Sequence, residues 1–152
     1  MNLMLFFTQG VSLRDWRNVG MLEREVALYR RLINGGMGCE FITYGGRSDL
    51  KLASGLYGIK INSNRWGLPT ALYKRSLNIL HARHLRETSI IKSNQVPGAD
   101  AALSAAKRFG KPFIARCGYL ASDFAGRACG LDSAEARKAR NLERLVFTAA
   151  DR

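Results

Sequence analysis

Short apolar runs alternate with segments of helical periodicity along this chain, and that alternation limits the folds open to it. Leu3 to Thr8 is an apolar run of strand length. A run with so little polar alternation fits a strand buried on both faces, as in a parallel sheet. In Met21 to Ile33, Leu22, Val26, Tyr29 and Ile33 recur at steps of three to four and charges fill the other face. That spacing predicts a helix, and Asn34-Gly35-Gly36 ends it. Glu40 to Tyr44 reads as a second strand and Tyr57 to Ile61 as a short one. A helix is predicted from Pro69 into the 80s, with Leu72, Ser76, Ile79, Leu80 and Arg83 on one side. Ser89 to Lys92 is a strand, Pro97 to Phe109 an alanine-rich helix closed by Gly110, and Pro112 to Arg116 a further strand. Gln9 to Gly20 reads as a loop, as does the stretch after Tyr119. Asp132 or Ser133 can cap a last helix, and the spacing of Ala139, Leu142, Leu145 and Val146 carries it to the terminus.

Strands alternating with helices imply βαβ units joined by right-handed crossovers. The expected class is α/β: a Rossmann-like three-layer α/β/α domain with a mainly parallel sheet. In such sheets ligands bind outside the carboxyl ends of the strands. Those ends are polar or glycine-containing: Thr8-Gln9-Gly10, Tyr44-Gly45, Asn94-Gln95 and Arg116-Cys117-Gly118-Tyr119.

Composition narrows the partners. The 152 residues suit one domain and are 47% hydrophobic, too apolar for a disordered segment. No apolar run approaches the roughly 20 residues that span a bilayer. The apolar start is too short, and lacks the basic leader, for a signal peptide. Cys39, Cys117 and Cys129 have no paired spacing, which points to reduced thiols and a cytoplasmic protein, with Cys39 and Cys117 beside strands and so in the core. The net charge is +12, and between Asp49 and Glu87 there is no acidic residue. Lys51, Lys60, Arg65, Lys74, Arg75, Arg83 and Arg86 fall in that stretch. Such a block either is a solvated face or attracts phosphates, anionic lipid or nucleic acid. Aromatic residues are not interleaved with it for base stacking, so nucleic acid is the weakest of these partners.

Several chemistries lack their motifs. There is no G-x-x-x-x-G-K-[ST], no G-x-G-x-x-G after the first strand and no G-x-S-x-G. Gly35-Gly36-Met37-Gly38 joins a helix to a strand and so lies at the wrong end of the sheet for a ligand. His81 and His84 are three apart, but their basic neighbours would repel a cation, and no metal site is expected. In the first loop, Gly20 would let a phosphate or sugar approach a helix N-terminus. Ser12 and Asn18 there offer hydrogen bonds. Trp16 is either a plate for a sugar ring or a core residue.

Four stretches then resemble glycosyltransferase family 4 enzymes, in order along nearly the whole chain. They are Trp16-x-x-x-Gly20-x-x-x-Arg24-Glu25-x-x-x-Tyr29-x-x-Leu32 with Phe41-Ile42-Thr43-Tyr44-Gly45, then Ile91-Lys92-Ser93-Asn94-Gln95-x-x-Gly98, then Lys111 to Tyr119, and the closing Ala149-Ala150-Asp151-Arg152. The resemblance implies a GT-B architecture, of which this chain matches the N-terminal, acceptor-side half. It implies retaining transfer of a hexosyl group from a nucleotide sugar to a hydroxyl acceptor, with no metal or other cofactor. The donor-binding domain is not matched, so the chain by itself is expected to be inactive. The family's adjacent glycines after the first strand are replaced by the separated Gly10 and Gly20, and no catalytic histidine is assigned. On this resemblance, Gly10, Ser12 and Gly20 face the donor phosphates, and Trp16, Tyr44, Asn94, Gln95, Arg116 and Tyr119 bind acceptor or sugar. Arg116 could instead neutralise an anionic acceptor or brace its loop, and Arg24-Glu25 could be only a helix-surface or loop-bracing pair. The competing expectation is a peripheral membrane or polyanion-binding module whose anionic-surface patch is Lys60, Arg65, Lys74, Arg75, Arg83 and Arg86. The two coexist if the acceptor is lipid-linked at the inner face of a membrane.

Overall fold

A computed structural model describes residues 1–152 and shows five strands in one sheet with helices packed against it. In chain order the elements are β1 (Asn2–Phe6), α1 (Leu13–Asn18), α2 (Leu22–Asn34), β2 (Gly38–Ile42), α3 (Arg47–Ala53), β3 (Lys60–Asn62), α4 (Thr70–Leu80), α5 (Ala82–Glu87), β4 (Ile90–Ser93), α6 (Ala99–Phe109), β5 (Phe113–Ile114), α7 (Ala121–Cys129) and α8 (Ala134–Ala149). The sheet order is β3-β2-β1-β4-β5, and every pairing is parallel. This is the expected Rossmann-like α/β/α arrangement. The order reverses beside β1, which pairs with both β2 and β4.

Alternation along β1 sorts the core into two halves. Leu3, Leu5 and Phe7 face one cluster with Leu13, Trp16, Val26, Tyr29 and Phe41. Met4 and Phe6 face the other, with Tyr73, Leu77, Leu85, the buried alanines of α6 and Val146. A strand covered on both faces needs apolar residues at every position, which is why the run has no polar alternation.

Five local expectations are corrected. Part of the first loop is helical, because Ser12 and Asp15 form a reciprocal capping box that starts α1. The stretch after Tyr119 contains α7, whose Ser122 N–H and hydroxyl both donate to the buried Glu143 carboxylate of α8. The helix from Pro69 is broken at His81 and buries Tyr73 and Leu77, leaving Leu72 and Ile79 exposed. The third strand starts at Lys60, because Tyr57 adopts a positive φ of 53° and stands exposed. Cys117 is exposed, whereas Cys39 is buried and its thiol is pushed up to about 11 by that burial.

Ser133 caps α8 by accepting from Ala136 N–H. Beyond α8 the chain runs along β5: Asp151 N–H donates to Phe113 carbonyl at 2.9 Å, and Ala115 N–H to Arg152 carbonyl at 2.9 Å. No helix is long and apolar enough to cross a membrane.

Candidate functional site

The loops after β1 and β4 meet where the strand order reverses, the place where open α/β sheets bind ligands. Here the chain fills much of that place itself. Gln9 N–H donates to Pro97 carbonyl at 3.2 Å. Asn94 Nδ2 donates to Thr8 Oγ1 at 3.2 Å. Gly98 has a φ of +94°, and a Cβ there would lie 2.7 Å from Gln9 N. Only glycine allows so close an approach of the two backbones.

Beside this crossing stands an ion pair between elements far apart in sequence. Arg116, two residues past β5, donates from Nη1 to Glu25 Oε2 of α2 at 2.6 Å. The same Nη1 donates to Asn94 Oδ1 at 3.1 Å. Arg24 donates to the other Glu25 oxygen at 3.1 Å. Glu25 is only 8% exposed and Arg116 37%. Burial pushes the Glu25 carboxyl upward, but the hydrogen bonds and charges of Arg116 and Arg24 together hold it below its ordinary range. The bond to Glu25 raises the Arg116 guanidinium against its own burial.

Lys92 of β4 completes the group. Its Nζ donates to Tyr29 Oη at 3.2 Å. Burial, helped by the Arg116 charge and opposed by Glu25, lowers it to about 8. Tyr29 is driven above its ordinary value by burial.

The first loop is held by a different carboxylate. Asp49 of α3, fully buried, accepts from Thr43 Oγ1 at 2.7 Å, Leu13 N–H at 2.9 Å and Arg14 N–H at 3.4 Å. It pins the start of α1 over the end of β2. A Cβ on Gly45 would lie 2.2 Å from that carboxylate, so glycine is needed there.

The expected site residues divide accordingly. Trp16 is a core residue: it is 4% exposed and its ring stacks on Phe7 at 4.1 Å, so it offers no plate to a sugar. The Ser12 hydroxyl is committed to Asp15 at 2.6 Å. Gly20 N–H donates to Arg17 carbonyl and precedes α2 rather than opening it, so it does not offer a helix N-terminus. Gly10 forms the exposed tip of a turn closed by Val11 N–H to Thr8 carbonyl, with a φ of +81°. Tyr44 is half-buried and packs edge-on against Tyr73 at 5.5 Å. Gln95 Oε1 accepts from Gly118 N–H at 2.8 Å. Tyr119 is exposed, edge-on to Phe124 at 5.3 Å.

The basic stretch does not form one unpaired face. Lys60 lies 3.7 Å from Glu40, Lys74 2.7 Å from Asp100 and Arg83 3.4 Å from Glu87. Arg65 stacks over Trp66 at 4.7 Å. Arg75 and Arg86 are exposed.

Both imidazoles have protein partners: His81 meets Tyr73 Oη at 2.7 Å and His84 meets Glu40 at 2.9 Å. Burial, with the charges of His84 and Arg65, depresses His81 to about 4.

Sequence reasoning undervalued Glu25 and overlooked Lys92 and Asp49 as organising groups. The available signal for Lys92 was a cation inside the apolar strand Ile90-Ile91-Lys92-Ser93. Compared with known protein families and with curated proteins, the chain matches none.

Proposed function

We propose that this chain is the acceptor-side domain of a retaining glycosyltransferase of GT-B architecture, which moves a hexosyl group from a nucleotide sugar to a hydroxyl. One observation carries the reading. Three of the stretches that resemble family 4 enzymes, far apart in sequence, meet in one hydrogen-bonded cluster, Glu25 from the first, Asn94 from the second and Arg116 from the third, and Gln95 of the second bonds separately to Gly118 of the third. They meet at the carboxyl ends of adjacent strands, where this sheet type takes its ligands.

In this reading the cluster positions groups rather than reacting. Asn94 and Glu25 fix Arg116, and Gln95 fixes the Gly118 backbone. Transfer develops negative charge on the leaving diphosphate, and preorganised donors stabilise such charge best. The Arg116 guanidinium and the exposed backbone at Gly10 are the groups this half brings to that edge. The nucleotide-sugar donor would be held mainly by a second domain outside these 152 residues. A peripheral membrane role is the second reading, and the pairing of Lys60, Lys74 and Arg83 with carboxylates weakens its electrostatic basis.

The test is release of nucleoside diphosphate from a panel of nucleotide hexoses, measured with the chain alone and with the chain joined to its donor-binding half. No release alone and release when joined is the expected result. Turnover by the chain alone would overturn the division of labour. No release from any donor in the joined enzyme would remove the activity.

A further inference from the structure

The largest cavity in the molecule, a groove of about 700 Å³ between α4, α6 and α8, is lined by Lys74, Arg75, Asp100 and Lys138 among others. Arg75 and Lys138 are exposed surface charges there and select no ligand. A smaller cavity of about 120 Å³, between β3 and the break from α4 to α5, is built more specifically. Ile61, Leu80 and Trp66 wall it, and Arg65, His81 and His84 bring polar groups to it.

His84 is oriented by a buried carboxylate. The Glu40 side chain of β2 is only 7% exposed, and its Oε2 lies 2.9 Å from His84 Nδ1. A carboxylate oxygen accepts, so Nδ1 carries the hydrogen, and in the neutral ring Nε2 keeps the lone pair. Asn62 Nδ2 donates to the same Oε2 at 3.0 Å, and Lys60 Nζ lies 3.7 Å from Oε1. Held in this way, the carboxylate fixes the tautomer and the orientation of the imidazole. Satisfying Glu40 needs Nδ1 alone. The His84 side chain is nevertheless 40% exposed, lines the cavity and makes no protein hydrogen bond through Nε2. An imidazole oriented by a carboxylate, with its other nitrogen free, is the arrangement of an activated base or nucleophile. His81, the other histidine of the chain, is buried and has its Nε2 on Tyr73 Oη at 2.7 Å.

The cavity limits the reaction partner by size and charge. Sites for drug-sized ligands run to roughly 300–1,000 Å³. This one is too small for a nucleotide and has room for a phosphoryl group with a small leaving group. Arg65 enters no ion pair, and its guanidinium, 4.7 Å from the centre of the Trp66 ring, suits anionic oxygens. We propose that His84 Nε2 accepts a phosphoryl group from a small acyl phosphate. The Nε2 lone pair forms the N–P bond, the bond between phosphorus and the acyl oxygen breaks, and the departing carboxylate keeps that electron pair. No proton is released. Nδ1 keeps its hydrogen, and the positive charge that develops on the ring faces the Glu40 carboxylate, a preorganised counter-charge. Glu40 is therefore a positioning residue, and Arg65 meets the phosphoryl oxygens. The site owes nothing to the glycosyl-transfer reading and stands whether or not the chain takes part in that reaction.

The test is incubation of the whole chain with acetyl phosphate at about pH 8, where an ordinary imidazole is neutral, followed by intact-mass and peptide mapping. One phosphoryl group should appear on His84, leave in mild acid and persist in base, as an N–P bond does. His84→Gln, a change at a partly exposed side chain, should abolish it. Glu40→Gln should lower the maximal rate at least about tenfold, the modest end of what an orienting carboxylate contributes, and leave the half-saturating acetyl phosphate concentration unchanged. Arg65→Ala should do the reverse, raising that concentration with little change in maximal rate. The folded parent should also react at least about tenfold faster than the same chain unfolded in urea, a comparison that holds even if Glu40→Gln does not fold. A phosphoryl group on another residue, no reaction at His84, or equal rates in the folded and unfolded chain would each overturn the proposal. So would a folded Glu40→Gln variant that reacts at the parent rate.

Discussion

Two polar clusters start from neighbouring residues of the loop after β1 and treat their hydrogen-bonding groups in opposite ways. Thr8 leads into the first, where Asn94, Arg116 and Glu25 bond to one another in a closed set. Gln9 leads into the second, where Lys74 is anchored but Arg75, Lys138, Asp100 Oδ1 and Asn78 Oδ1 are left without protein partners. Polar groups that satisfy one another hold elements together. In the second cluster only Arg75 and Lys138 stand exposed, because Asp100 Oδ1 and Asn78 Oδ1 are buried away from solvent. The floor of the crevice predicted from topology is therefore held by its own hydrogen bonds, while the neighbouring groove keeps exposed side chains that no protein group engages.

The comparison is tested hardest at the backbone crossing. Gly98→Ala would place a methyl group 2.7 Å from Gln9 N while keeping a φ of +94°. A side chain in that conformation and a clash with backbone together should cost about 3 kcal/mol. Urea denaturation should show the loss as a lower midpoint with an unchanged slope. A variant as stable as the parent would mean that the β1 and β4 loops separate easily and that their crossing is not a fixed part of the fold.

The ion pair is expected to matter somewhat less. Arg116→Ala leaves Glu25 buried with only the exposed Arg24 beside it. Removing one partner of a fully buried pair costs about 3–5 kcal/mol, and solvent screening at the 37% exposed Arg116 reduces this to about 2 kcal/mol. The cost should depend on pH in a defined direction. The Glu25 carboxyl is held below its ordinary 4.5, so its contribution is fully present above about that pH and is lost as pH falls through the lowered value. Stability curves of parent and variant should converge in acid. A gap that stays constant from pH 7 to pH 3 would show that Arg116 acts through packing instead.

The sequence made the sheet legible because strands covered on both faces are mainly apolar, a mark that β1 and β5 carry and that β2 and β4 keep despite Glu40 and Lys92. It made the ligand end legible for the same reason, since polar residues such as Asn94 and Arg116 follow directly on those runs. It could not show which of them were already bonded. The partner of Arg116 lies 91 residues away on α2, and in the sequence Glu25 looks like any charge on a helix surface. Trp16 was ambiguous because the six-residue α1 is too short to display a period. The groove left no local signal: Lys74, Asp100 and Lys138 come together only when α4, α6 and α8 pack on one face of the sheet.

That difference in legibility leads to the smallest expected effect. A residue that bonds to nothing in the fold should be removable without loss of stability. The Arg75→Ala/Lys138→Ala variant should therefore stay within about 0.5 kcal/mol of the parent, as exposed substitutions generally do. It should also shift upward slightly at low salt, because two like charges leave a chain of net charge +12. Salt would screen that gain, so parent and variant should draw together at high ionic strength. A clear destabilisation would mean that these side chains hold α4 to α8 through contacts beyond their charge. The contrast between a closed, bonded cluster and an open, unpartnered one would then fail on the groove side, however firmly Gly98 and Arg116 supported it on the other.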